Sequence, residues 1–399
     1  HLRLFIAAAE ARGVRVMLDL VINHTSKDAL LAEAHPSWYR HEEDGSLKSP
    51  SAIDPADARC VTVWGDLAEL DYEQSESRDA LTLYWKQFLE HALALGFSGF
   101  RCDAAYKVPA ETWCTLIDAA RRARSDTLFC AETLGCRLEE THGVAAAGFD
   151  LLFNSSKWWD YRAPWCLQQY EAHRHLAPSI SFPETHDTPR LAEEADGRAE
   201  ILGQRYLFAA AFSAGVMIPM GFEYGARKKL DVVQTRISDR EPVACDLTEF
   251  IAAVNAWKAS TPVLNGEAPI RVLSVPEEGA IRLYKRTDAP PAGDRDTAGD
   301  AVLLWINPGD EEIPVPESWM EEAEQLLCAG GGRIRGISSR EAEEARDTGA
   351  AEGHAGVLRP QEAVLLRAVE DQGVMVLGAH EAEFRHRAAM GRGAAEGPL

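Results

Sequence analysis

Four short segments end apolar runs in groups suited to acid–base and nucleophilic chemistry: Asp19-Leu20-Val21-Ile22-Asn23-His24, Gly99-Phe100-Arg101-Cys102-Asp103-Ala104, Ala131-Glu132-Thr133-Leu134 and Glu184-Thr185-His186-Asp187. Each carboxylate is expected where a buried strand meets solvent, the end at which an α/β barrel keeps its chemistry. Retaining cleavage of a glycosidic bond needs a carboxylate nucleophile and a carboxylic acid ~5–5.5 Å apart. Asp103 suits the nucleophile. Arg101, two residues earlier on the same strand, points to the same face and can hold it ionised. Glu132 suits the acid/base, because the apolar run Leu128-Phe129-Cys130-Ala131 before it would raise its pKa by desolvation. Asp187, beside His186, adds a third carboxylate that could strengthen contacts to sugar hydroxyls as positive charge develops. Singly, these are an ion pair, a helix start and a turn. Their shared order and placement argue for an enzyme.

These groups need strands to hold them. Apolar, β-branched runs predict strands over 14–22, 97–103, 127–133, 149–154, 180–186 and 216–224. Helical periodicity predicts helices over 1–13, 77–95, 110–123, 138–147 and 199–213, the second with Leu81, Tyr84, Trp85, Phe88, Leu89 and Ala92 on one face. Alternating βα units predict a parallel α/β sheet or barrel. The chain offers six strands where a closed (β/α)8 barrel has eight. The stretch 25–72, rich in Pro, Asp and Ser, reads as an excursion forming one wall of a site.

Beyond Asp246 a helix over 250–258 and strands over 270–275, 280–286, 301–307 and within 356–367 give an all-β appendix, apart from the charged run 339–347. The insert 287–300 reads as a surface loop. The expected layout is a catalytic (β/α) barrel over 1–246, a C-terminal β-sandwich over 247–369 and a disordered tail over 370–399.

Composition narrows the partners. A formal net charge of −22 disfavours nucleic acid and anionic membranes, and is compatible with a neutral sugar polymer or with acidity serving only solubility. The eight cysteines form no CxxC pair, so they read as reduced thiols, with Cys102 and Cys130 as core filler. No apolar stretch has transmembrane length, and a cytoplasmic address is the default expectation.

On these residues the chain resembles the alpha-amylase superfamily, glycoside hydrolase family 13. The four segments are similar to that family's conserved segments in the same order, and Leu67-Ala68-Glu69-Leu70-Asp71-Tyr72-Glu73 resembles its approach to the helix before the nucleophile strand. The resemblance implies a TIM barrel with a C-terminal sandwich, acting on α-glucan through Asp103 as nucleophile, Glu132 as acid/base and Asp187 as transition-state stabiliser. It places Arg101, His24 and His186 against the nucleophile or the sugar. It implies no required cofactor, although Asn23, with Asp66 or Asp71, suggests a structural Ca²⁺.

Two departures stand out. Tyr106 and Lys107, with Val108-Pro109, follow the nucleophile where the family often has His or Lys-His, and the fourth segment reads Glu-Thr-His-Asp instead of the commoner Asn-His-Asp. Both resemble the maltosyltransferase branch, which extends α-1,4-glucan from maltose 1-phosphate. That branch usually lacks the His-Asp pair and the His after Asn, and this chain keeps both. Lys107 would then meet a phosphate or sit at the rim. Trp158, Trp159, Tyr161 and Trp165 would stack on sugars or pack a helix, and Glu223-Tyr224 would line the pocket or cap a helix. Some family members have lost the carboxylates and serve as binding proteins, against which the full set here argues. The first strand resembles the family's third, so these residues alone are expected to fold poorly or to be inactive.

Overall fold

Six parallel strands carry the segments singled out above: β1 (Met17–Leu20), β2 (Gly99–Cys102), β3 (Leu128–Ala131), β4 (Leu151–Phe153), β5 (Ser179–Ser181) and β6 (Gly215–Val216). They pair in chain order, with β1 and β6 at the two edges. The computed structural model describes residues 1–53, 59, 61–274, 278–287, 300–327, 333–339 and 357–369. The charged run from 340 onward, most of the insert 287–300 and the tail from 370 lie outside the described residues.

The strands are shorter than their apolar runs. β5 was expected to reach His186 and stops at Ser181, because Pro183 has no N–H to continue a ladder. β6 likewise ends at Val216 before Pro219, and Phe222–Tyr224 forms a turn of 3₁₀ helix. The fourth segment is therefore a loop.

Helix α1 (Leu2–Glu10) precedes β1. Helix α2 (Ser75–Leu95) follows the excursion, started by Asp71, whose carboxylate accepts the N–H groups of Glu73 and Gln74 at 2.9 and 3.4 Å. Its buried stripe is Ser77, Leu81, Trp85, Leu89 and Ala92, while Tyr84 and Phe88 face outward, one position off the expected face. Gly96 ends it at φ +113°, where a Cβ would meet Ile6 Cγ2 at 3.1 Å. Helices α3 (Ala110–Ala123), α4 (Leu138–Ala145), α5 (Trp165–His173) and α6 (Ala199–Phe212) cover the sheet between successive strands.

Gly99 opens β2 between two neighbours. A Cβ there would lie 2.7 Å from Leu128 O and 3.1 Å from Met17 Cε. Gly99→Ala is expected to destabilise the chain by about 1–3 kcal/mol through overpacking. A lower chemical-denaturation midpoint at unchanged slope checks this.

Helix α7 (Thr248–Ala259) packs on α6, and an antiparallel sheet then runs in the order Ile270–Val272, Ile281–Arg286, Ala301–Ile306, Ala363–Val369, Arg333–Ser338. Its central strand is apolar on both faces. Val302, Leu304 and Ile306 join the core around α6, and Leu303 and Trp305 meet helix α8 (Glu317–Leu327) through Trp319, whose ring lies 5.6 Å from that of Trp305. Helix α8 corrects the all-β expectation for this region, since Trp319, Ala323 and Leu327 repeat every four residues to cover the outer face. The ammonium groups of Lys258 and Lys285 reach the C-terminus of α6, donating to Ala210 O at 2.9 Å and Phe212 O at 2.8 Å and fastening the appendix to the parallel-sheet part.

Candidate active site

Register builds the site. Asp19 on β1 lies opposite Arg101 on β2, and Cys102 lies opposite Ala131, the residue before Glu132. Asp103 N–H donates to Leu20 O at 3.1 Å, and Glu132 N–H to Cys102 O at 3.0 Å, so both ladders run one residue past the strands into the carboxylates. Side chains at 19, 101 and 103 share one face. The Arg101 guanidinium uses that closeness. Its Nη1 lies 2.8 Å from both Asp19 Oδ1 and Asp103 Oδ1, and its Nη2 lies 3.0 Å from Glu132 Oε2.

One cation therefore joins three carboxylates. Burial alone would weaken its charge, but Glu132, Asp19 and Asp103 outweigh that and hold the guanidinium protonated beyond its ordinary value. The Glu132 carboxyl is pushed up to about 7, first by burial and then by the Asp103 and Asp187 charges, against the pull of Arg101. Ala104 N–H also donates to Glu132 Oε2 at 2.9 Å. Ala104 itself sits at φ +41°, a left-handed conformation unusual for alanine, in the residue directly after Asp103. Ala105 N–H, bonded to Glu132 O at 3.2 Å, helps to hold it.

His24 closes the near side. Asn23 is buried, and its amide nitrogen lies 3.2 Å from His24 Nδ1. An amide nitrogen only donates, so Nδ1 accepts and Nε2 carries the proton of a neutral ring. Burial lowers the His24 pKa against the pull of Asp103, Asp66 and Asp19, in keeping with that neutral form. His186 and Asp187 stand in the loop after β5, His186 Nε2 3.1 Å from Asp187 Oδ2, with Asp187 well exposed. Beside Glu132 lies Tyr106, whose hydroxyl pKa is raised by burial and by Glu132.

Lys107 sits beside Tyr106. Its ammonium lies 5.4 Å over the Tyr106 ring, and the residue lines a cleft of about 400 Å³ with Arg40, Glu73, Tyr106, Pro109 and Glu140. The aromatic cluster divides. Trp159 and Tyr161 are core residues against Phe208, with ring centroids 5.6 and 5.1 Å away, and Trp165 packs on the same core; Trp158 remains half-exposed. The Glu223 carboxylate accepts Gly221 N–H at 2.9 Å, at the start of its own 3₁₀ turn. Cys102 and Cys130 are buried, with Cys130 pushed up to about 12 by burial.

Two of the residues suggested for calcium, Asn23 and Asp71, make other contacts. The Asn23 amide contacts His24 and its backbone O accepts Leu70 N–H, and the Asp71 carboxylate accepts the N–H groups of Glu73 and Gln74 just before α2. Among the described residues no three His, Cys, Asp or Glu side chains converge as metal ligands.

Two site residues escaped the sequence reading. Asp19 opens the first segment, yet only register reveals it as a partner of Arg101. Arg190 carries no motif and lies buried against Glu184.

No protein-family model matches the chain. An alpha-1,4-glucan:maltose-1-phosphate maltosyltransferase of Burkholderia pseudomallei is 32% identical over 311 residues, 75% of this chain and 26% of that protein. The alpha-amylase MalA of Haloarcula japonica is 22% identical over 339 residues, 78% of this chain and 45% of that protein. In three dimensions an alpha-amylase from Lactobacillus plantarum superposes with a TM-score of 0.62 at 21% identity, covering 92% of this chain and 81% of the other. In sequence and fold the chain is similar to proteins of the alpha-amylase superfamily. It spans between about a quarter and a half of the length of these sequence relatives. The fold, six parallel strands of an alpha-amylase-type barrel with a C-terminal β domain, agrees with the sequence reading.

Proposed function

We propose that the protein is a retaining α-glucan enzyme that hydrolyses or transfers α-1,4-glucosidic linkages through a covalent glycosyl intermediate on Asp103. The observation that carries this reading is the pairing of two unlike carboxyl groups on one guanidinium. Asp103 is held by a 2.8 Å bond from Arg101, whereas Glu132, more deeply buried, is pushed up to about 7 and is available as an acid near neutrality. In the first step Glu132 gives its proton to the leaving glycosidic oxygen as the Asp103 oxygen bonds the anomeric carbon. In the second, Glu132 takes a proton from water or a sugar hydroxyl, which displaces Asp103. Asp187 and His186 engage ring hydroxyls, and His24 Nε2–H donates to the same sugar. Asn23 serves by orienting His24, and Tyr106 bounds the site beside Glu132.

A transferase reading has its own support. The relatives include several named maltose-1-phosphate maltosyltransferases, among them the Burkholderia protein at 32% identity. The presence of His24 and the His186-Asp187 pair favours the general reading over that specific one. The placement of Lys107 outside the carboxylate cluster gives no support to a phosphate contact at the reacting centre. A cytoplasmic address is supported by six free cysteines among the described residues, where no helix is long and apolar enough to cross a membrane.

The test is product length. Incubating the full-length protein with maltoheptaose, with and without maltose 1-phosphate, is expected to give redistributed or shortened malto-oligosaccharides. Extension by two glucose units only with maltose 1-phosphate would establish the maltosyltransferase. An unchanged substrate under all conditions would refute the enzyme reading.

A further inference from the structure

The loop bearing His186 and Asp187 has no regular structure between Ser181 and Leu191, yet its base is sealed in the protein interior. Glu184 is 1% exposed and Arg190 is 3% exposed. Glu184 Oε1 lies 2.6 Å from Arg190 Nη1, and Glu184 Oε2 accepts Leu191 N–H at 2.5 Å. One carboxylate thus ties residue 184 to residues 190 and 191 and draws the intervening segment into a closed loop. Thr185 and Thr188 stiffen its interior: Thr188 Oγ1 accepts Thr185 N–H at 3.0 Å, and Thr185 Oγ1 accepts Asp187 N–H at 3.2 Å.

Arg190 also reaches outward. Its Nη2 donates to Met220 O at 2.7 Å and its Nε to Lys228 O at 3.2 Å, both in the segment after β6. Gly221 presses on the same guanidinium, since a Cβ there would lie 3.1 Å from Nη2. A buried ion pair is a poor source of net stability because both charges leave water. What it supplies is a single geometry, with each hydrogen bond directed.

We propose that the buried Glu184–Arg190 pair is the positioning element for Asp187, closing its loop and anchoring it to the β6 segment so that the Asp187 carboxylate is held across the site from Glu132. This rests on the reading of Asp187 as a group that engages the sugar. Glu184 and Arg190 touch no substrate in this scheme; they act through Asp187. Truncating Arg190 leaves Glu184 unpaired and frees the loop, and a displacement of about 1 Å at a reacting group is worth on the order of 100-fold in rate.

The test is a double-mutant cycle in the full-length protein, using Arg190→Met, Asp187→Asn and the double variant, with kcat and KM on maltoheptaose normalised to folded protein. Arg190→Met is expected to lower kcat about 10- to 100-fold. In the Asp187→Asn background it is expected to lower kcat less than about threefold, because the group it positions is already disabled. Arg190→Lys, which keeps the charge but not the fork, should recover part of the rate and carries the same cycle if Arg190→Met does not fold. Equal losses in both backgrounds, or a lower melting temperature with kcat per folded molecule unchanged, would overturn the positioning role. If Asp187→Asn alone leaves kcat intact, the assignment of Asp187 itself fails and the proposal falls with it. A severe Asp187→Asn defect beside a silent Arg190→Met would overturn the positioning role alone.

Discussion

Asp103→Ala lowers kcat on maltoheptaose by about 10⁴-fold or more, the scale of removing a nucleophile that acts as a unit with its neighbours. The fold should survive. Asp103 contributes one side-chain bond, to Arg101, and that guanidinium keeps Asp19 and Glu132 as partners. The space left beside the anomeric carbon admits a small anion. Azide supplied to this variant is therefore expected to restore turnover of an activated glucosyl donor with inverted configuration, because attack then comes once from solution. Steady-state kinetics checks the loss and NMR checks the anomer. Substantial residual activity with retained configuration would remove Asp103 from the nucleophile role.

Glu132→Gln is expected to lower kcat by about 10²- to 10⁴-fold, the range of a positioned general acid. The pH dependence gives the sharper signature. Burial raises the Glu132 pKa to about 7, so the carboxyl is neutral and able to donate below that pH and charged above it. The rate of bond cleavage should accordingly fall as pH rises through about 7, and that alkaline limb should vanish in Glu132→Gln. A substrate whose leaving group needs no proton, such as a glycosyl fluoride, should lose less in the cleavage step than maltoheptaose does. An alkaline limb that persists in the variant would assign the titration to another group.

The parts of the site set by sequence-local rules were readable from the chain. Arg101 and Asp103 share a face because strand side chains alternate, and the apolar run into Glu132 announces its burial. Strand pairing between consecutive βα units placed the second and third segments side by side, as found in the register of Cys102 with Ala131. Long-range pairing was less legible. Nothing near Asp19 says that Arg101, 82 residues away, will bond it. The Glu184–Arg190 pair is local, yet its meaning depends on the Met220 and Lys228 carbonyls that a folded loop brings in. Aromatic content was ambiguous: Trp159 and Tyr161 look the same in sequence as sugar-stacking rings, and only the packing of Phe208 against them reveals core residues. Helix α8 was hidden because its acidic residues mask an apolar stripe at four-residue spacing.

The central claim, a covalent sugar on Asp103, is tested most directly by trapping it. The full-length protein is incubated with a 5-fluoro-glycosyl fluoride, which forms the glycosyl-enzyme faster than water or sugar releases it, then digested and sequenced by mass spectrometry. The account predicts one added fluoroglycosyl mass on the peptide containing Gly99-Phe100-Arg101-Cys102-Asp103, with fragmentation locating it at Asp103 and no adduct in Asp103→Ala. An adduct on another carboxylate, or none from a protein that turns over maltoheptaose, would contradict it.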